Sequence, residues 1–222
     1  MPVATSKLQE NLERVRERIS TAALRAGRSS QSVRLVAVTK TVNSETIQAL
    51  LALGIEDFGE NRIAEARPKI EEIGHVARWH MIGPIQRRKA KEAIELFDTV
   101  DALDRIEVGQ ALQQRCDAAN RTLPVLIEVN VSGETTKHGF FPEHVPDALA
   151  TLQKLPHLHV AGLMTMAPLV QDPEVTRPHF ARLRSLAESL GLPELSMGMS
   201  NDFEVAVEEG ATQVRIGTAL FA

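Results

Sequence analysis

The chain has 222 residues, enough for one sizeable domain with a real buried core. Lys plus Arg number 25 and Asp plus Glu 29, a net charge of −4, which argues against a general nucleic-acid or anionic-membrane surface. One cysteine, Cys116, rules out an internal disulfide and a multi-cysteine metal site, and the absence of tyrosine rules out a tyrosine acid or base from this chain.

No run approaches the roughly 20 apolar residues of a membrane span. Met1 to Ser20 is rich in charge and lacks the apolar core of a signal peptide. With a lone cysteine, a reducing, cytoplasmic compartment is expected. Leu8, Leu12, Val15 and Ile19 recur at helical spacing and predict an amphipathic N-terminal helix.

Beyond it, short apolar runs alternate with amphipathic stretches. Leu35 to Val38 reads as a buried strand, and Ser44 to Leu53 as a helix stopped at Gly54. Ile55 to Phe58 is a weaker strand, followed by a helix over Ile63 to Ile73 that Pro68 interrupts. Trp79 to Ile82, Thr99 to Leu103 and Val125 to Val131 read as strands, with helices over Lys89 to Leu96 and Ile106 to Ala119 between them. A helix over Val145 to Lys154, a strand over Val160 to Met166 and a helix over Pro178 to Leu190 come next. Leu195 to Met199 and Val214 to Ile216 are the last strands, joined by a helix over Phe203 to Glu209.

Eight strands with a helix in every gap predict a parallel sheet. The favoured architecture is a compact single-domain (β/α)8 TIM barrel over residues 1–222, with the extra N-terminal helix outside it. A doubly wound open sheet is the rival. In both, chemistry gathers at the C-terminal ends of the strands.

Lys40 stands at such an end, two residues past the first strand run. Partial desolvation at an apolar mouth would expose a neutral, nucleophilic amine able to form a Schiff base; the plain alternative is a solvated lysine. Ser200 reads as an N-cap in Met197-Gly198-Met199-Ser200-Asn201-Asp202, with Asp202 and Glu204 suiting the helix N-terminus. Ser200, Gly217 and Thr218 fall after strands seven and eight, where barrels often bind phosphate; an ordinary cap and turn are the alternative. Arg215, inside an apolar strand, needs either a salt-bridge partner or a ligand. Asn61 faces a ligand or caps the next helix. His80 reads as a hydrogen-bonded core histidine, Arg87, Arg88, Lys89 and Lys91 as a solvated helix start, and Lys137 as a loop lysine near the mouth.

Seven segments then occur in an order that identifies a family. They are Val36-Ala37-Val38-Thr39-Lys40, Phe58-Gly59-Glu60-Asn61-Arg62, Trp79-His80-Met81-Ile82-Gly83, and Asn130-Val131-Ser132-Gly133-Glu134 with Lys137 and Gly139. Gly162-Leu163-Met164-Thr165-Met166, Ser196-Met197-Gly198-Met199-Ser200 with Asp202, and Val214-Arg215-Ile216-Gly217-Thr218 complete the set. From Lys7 to Phe221 the chain resembles the pyridoxal 5′-phosphate (PLP) homeostasis proteins, also called proline synthase co-transcribed homologues, which are relatives of the alanine racemase N-terminal barrel.

The resemblance implies a fold-type III barrel holding PLP. Lys40 matches the Schiff-base lysine, and Arg215 the arginine at the pyridine nitrogen. Ser200, Gly217 and Thr218 match the phosphate contacts. Asn61 matches a residue beside the ring, and Ile82 and Met199 match positions lining the pocket. The implied role is to buffer and deliver PLP, with apo PLP-dependent enzymes as recipients and no efficient turnover; the chain itself is expected to be a monomer.

Two features depart from the relatives. Arg87-Arg88-Lys89 stands where many show Ser-Asn-Lys, and the chain stops at Ala222 without the second domain of true alanine racemases. A PLP-dependent racemase or lyase, and a cofactor-free Schiff-base aldolase using Lys40, are the competing readings.

Overall fold

The computed structural model describes residues 5–222. They form a closed barrel of eight parallel strands in sequence order. Residues 1–4 of the expected helical segment and of the expected 1–222 domain lie outside the described residues. β1 (Arg34–Val38) pairs with both β2 (Asp57–Glu60) and β8 (Gln213–Ile216), which closes the ring. Between them run β3 (Arg78–Met81), β4 (Thr99–Leu103), β5 (Leu123–Glu128), β6 (Leu158–Met164) and β7 (Glu194–Ser196). Closure leaves none of the open edges of a doubly wound sheet, so that rival is set aside.

Parallel neighbours require a crossover in each gap. The crossovers are α2 (Ser44–Ala52), α3 (Ile63–Ile73), α4 (Ala90–Leu96), α5 (Ile106–Ala118), α6 (Val145–Leu152), α7 (Arg177–Leu190) and α8 (Phe203–Glu208). α1 (Thr5–Arg25) precedes the barrel, and α9 (Thr218–Phe221) follows it. α1 buries Leu8, Leu12, Val15 and Ile19 and packs on α8 and α9. Arg18 joins Glu204 at 3.1 and 2.7 Å and stacks 4.5 Å over the Phe203 ring. Asn11 donates to the carbonyls of Leu220 and Ala222, which ties the two ends of the chain together.

Most of the core lies between strands and helices, where Phe58, Trp79, Phe97 and Phe180 are buried. Ala102, Leu126, Ala161 and Met164 form a second, small apolar cluster on β4, β5 and β6. Gln213 on β8 reaches Asp101 on β4 at 2.6 Å. These strands lie on opposite sides of the ring, so that bond crosses the barrel interior.

Several expected boundaries move for local reasons. β2 starts at Asp57 because Ile55 N–H bonds back to Leu50 O and closes α2, with Gly54 at φ +79°. β5 ends at Glu128, three residues early, because Phe140 N–H takes the Glu128 carbonyl and Asn130 N–H the Phe140 carbonyl. β7 ends at Ser196 before Gly198, whose φ is +94°. Pro68 lies inside α3 without ending it. Arg87–Lys89 form a short 3-10 turn leading into α4, where Lys89 pairs with Glu92 at 2.6 Å.

Candidate functional site

Because the strands are parallel, their C-terminal ends share one rim. Lys40 lies two residues past β1, Asn61 directly after β2, Ile82 directly after β3, and Gly217 directly after β8. Met199 and Ser200 follow β7. Close packing joins these loops: Gly83 is pressed against the Asn61 backbone, where any Cβ would collide. Ala219 N–H donates to Ser200 Oγ at 3.1 Å, so the loops after β7 and β8 meet at that hydroxyl. The predicted residues therefore converge.

Lys40 is exposed at the rim, in keeping with the plain reading of a solvated lysine at a strand end. Its side chain makes no hydrogen bond or ion pair among the described residues. Ser200 is not an N-cap; Asp202 takes the N-cap position of α8, and Asp202 Oδ1 accepts from Met199 N–H at 2.6 Å. Burial pushes the Asp202 carboxyl up, against that hydrogen bond and the charge of Arg215. Ser200 is thereby left to face the loop after β8.

Arg215 is 4% exposed and has no carboxylate within salt-bridge distance among the described residues. Nη1 donates to Ser196 Oγ at 2.6 Å and Nη2 to Thr165 O at 2.7 Å. Neutral acceptors thus hold the cation. Burial lowers its pKa, opposed by the charges of Asp101, Glu128 and Asp202.

A polar chain continues below it. Gln213 Nε2 donates to Ser196 Oγ at 3.0 Å and to Asp101 Oδ2 at 2.6 Å. His80 then bridges Asp101 and Asp57, each at 2.9 Å. Burial disfavours the charged imidazole, but the two carboxylates prevail and raise its pKa to about 9. His80 is the hydrogen-bonded core histidine expected. A cavity of about 450 Å³ opens beneath this chain, between Arg34, Arg78, Asp98 and Glu194.

Glu128, at the end of β5, is 3% exposed, and its Oε2 has no hydrogen-bond partner among the described residues. Burial, then the neighbouring Asp104, pushes its pKa up to about 7, against the pull of Arg215 and Arg105. Lys137 pairs with Glu134 at 3.0 Å and lies 3.4 Å from Met166 O, so its loop folds over the end of β6.

Comparison with known proteins gives a consistent answer. The family described as "Alanine racemase, N-terminal domain" matches residues 3–222. A "Pyridoxal phosphate homeostasis protein" of Aquifex aeolicus is 43% identical over 219 residues, covering 96% of each chain. The chain belongs to the pyridoxal phosphate homeostasis protein family, on the alanine racemase N-terminal fold. A protein of the same name from Pseudomonas aeruginosa is 42% identical over 219 residues, covering 97% of this chain and 95% of that one. Among solved structures, PipY of Synechococcus elongatus PCC7942, with PLP bound, superposes with a TM-score of 0.83 at 32% identity. The match covers 97% of this chain and 100% of PipY.

In this family member, sequence reasoning missed the groups beneath the rim: Asp101, Glu128, Ser196, Gln213, and the Glu60–Lys69 pair described below. The signal that marked Arg215, a charge within a strand run, also marks Asp101 and Glu128.

Proposed function

We propose that this chain binds pyridoxal 5′-phosphate and serves its homeostasis, holding the cofactor and passing it to apo PLP-dependent enzymes without efficient turnover. The observation that carries the reading is the meeting, at one rim, of a free amine, a buried guanidinium and a hydroxyl placed between two loops. This donor set fits the chemistry of PLP. When bound, PLP brings an aldehyde that an amine can capture, an electron-withdrawing ring and a dianionic phosphate.

Lys40 would hold the aldehyde carbon covalently, its amine condensing with the carbonyl and the oxygen leaving as water. Lys40 is exposed, and no hydrogen-bond or ion-pair partner among the described residues competes for its amine. Arg215 would face the ring nitrogen. A guanidinium only donates, so it favours the unprotonated nitrogen and a weaker electron sink. Ser200 holds the phosphate together with the backbone at Gly217 and Thr218. Its Oγ already accepts from Ala219 N–H, which leaves the hydroxyl proton to donate. Asn61 would lie beside the ring, and Ile82 and Met199 would line the pocket. Residues 1–222 act as a single PLP-binding domain.

The same features disfavour the racemase or lyase reading. An arginine at the ring nitrogen weakens carbanion stabilisation, and no tyrosine is present to act as a base on the opposite face. The names of the relatives favour storage and delivery over turnover. A monomer is proposed. A cytoplasmic setting suits a free, buried Cys116. No helix among the described residues is long and apolar enough to cross a membrane.

The test is a paired one. Purified protein given PLP should gain a visible absorption band that Lys40→Ala lacks, and should hand PLP to an apo-enzyme. Racemisation, transamination and decarboxylation of common amino acids should stay far below the ordinary enzyme range of about 1–10³ s⁻¹. Turnover within that range would overturn the carrier reading.

A further inference from the structure

Among the described residues no hydrogen bond or ion pair holds the Lys40 side chain, so its position is set by the backbone just before it. That backbone is restrained at every polar atom of Thr39. Thr39 N–H donates to Gly59 O at 3.0 Å. Thr39 Oγ1 donates to Glu60 Oε1 at 2.7 Å. The Thr39 carbonyl accepts Val42 N–H at 3.1 Å, which closes a turn with Lys40 as its second residue. The same carbonyl also accepts Lys69 Nζ at 2.7 Å.

Lys69 comes from α3, outside the barrel. Its ammonium also meets Glu60 Oε1 at 2.8 Å. The side chains of Lys69 and Glu60 are 12% and 0% exposed, so this is a buried ion pair. Both donors converge on one carboxylate oxygen, and Glu60 Oε2 is left with no partner among the described residues. A buried carboxylate so incompletely satisfied is a poor device for stability, and apolar side chains of like volume often serve as well or better. Apolar packing, however, gives nothing that grips the Thr39 carbonyl.

We propose that Lys69, acting with Glu60 through Thr39, is a positioning residue that fixes the turn carrying Lys40 so that its amine meets an incoming aldehyde at the rim. This rests on the reading of Lys40 as the PLP-holding amine. The clamp lies in the layer between barrel and helices, so it acts on where Lys40 stands and not on the rest of the pocket. Small displacements of a reacting group are costly; a shift of about 1 Å can slow a reaction on the order of a hundredfold.

The experiment compares two probes. PLP reports capture by Lys40, read as the rate of borohydride-trappable attachment to the Lys40 peptide. Pyridoxine 5′-phosphate, which has no aldehyde, reports the pocket alone through its affinity. Lys69→Met combined with Glu60→Gln removes the clamp without leaving a buried charge unpaired, and Thr39→Val removes the hydroxyl link alone. Lys69→Arg keeps a donor for both acceptors. The double variant should capture PLP about tenfold to a hundredfold more slowly while binding pyridoxine 5′-phosphate as the wild type does. Thr39→Val should show a smaller slowing of the same kind, and Lys69→Arg should restore most of the rate.

Wild-type capture rates in the double variant, or equal losses for both probes, would overturn the positioning role. If the double variant does not fold, Thr39→Val decides by the same two readouts. Attachment absent from Lys40 in the wild-type protein would instead overturn the reading of Lys40, and the positioning role with it.

Discussion

Arg215 Nη1 donates to Ser196 Oγ at 2.6 Å, and that hydroxyl also receives Gln213 Nε2 at 3.0 Å. Ser196 is thus the joint between the cation near the rim and the polar chain that runs through Asp101 to His80. A guanidinium turns freely about its bonds unless its N–H groups are held, and here Ser196 and the Thr165 carbonyl hold it.

Removing that joint should be measurable in two ways. Ser196→Ala leaves a buried, charged donor without its acceptor, a loss of roughly 1–3 kcal/mol. Urea unfolding of the protein without PLP should show it. With Arg215 at the ring nitrogen, as proposed, the absorption maximum of the PLP-loaded variant should also move, because the guanidinium would no longer be held in one orientation. An unchanged unfolding midpoint and an unchanged spectrum would remove Ser196 from the account.

The His80 chain gives the fold a pH dependence of definite sign. His80 titrates near 9 in the folded protein, against an ordinary value of 6.5. Its contribution is fully present below about 6.5 and is lost as pH rises through about 9, roughly 3 kcal/mol in all. Asp57 and Asp101 are held below the ordinary carboxylate value by His80, despite their burial, so their share is lost on acidification instead. His80→Gln should therefore cost much more stability at pH 6 than at pH 9.5, measured by urea titration. An equal cost at both values would contradict this.

Glu128 behaves in the opposite sense to an ion-paired carboxylate. Its pKa near 7 lies above the ordinary 4.5, so the folded state keeps a proton that the unfolded state has released. Stability should fall as pH climbs from about 4.5 through 7. Glu128→Gln, neutral at every pH, should be more favourable at pH 8 than at pH 5, by up to roughly 3 kcal/mol. A difference independent of pH would mean that Glu128 is ionised in the fold like an exposed glutamate.

The barrel could be read from the sequence because its signal is repetitive. Thr99–Leu103 and Ile63–Ile73 keep their expected bounds, since strand and helix periodicity there meets no competing contact. Boundaries moved where a loop's own hydrogen bonds took over, as at Glu128, whose carbonyl bonds Phe140 N–H. The rim residues were legible because they follow strands. The chain from Arg215 to His80 was not, because its links join residues as much as 112 positions apart, as in Gln213 to Asp101. Ser200 looked like an N-cap by spacing alone; only the packing of two loops shows its hydroxyl beside Ala219. Lys40 is exposed in the turn that follows its strand, as the plain reading of a strand-end lysine has it.

Ser200 gives a direct test of the phosphate end. A charge-assisted hydrogen bond is worth roughly 1.5–3 kcal/mol, so Ser200→Ala should weaken PLP binding by about tenfold to a hundredfold. Pyridoxal, which has no phosphate, should bind both proteins alike. Unchanged PLP affinity would place the phosphate elsewhere.

The central claim is that one amine at the end of β1 holds the cofactor. Purified protein loaded with PLP, reduced with borohydride, digested and mapped by mass spectrometry addresses it most directly. The adduct should fall on the peptide containing Lys40 and be absent from Lys40→Ala. An adduct found on Lys137 or Lys69 with Lys40 unmodified would contradict the account.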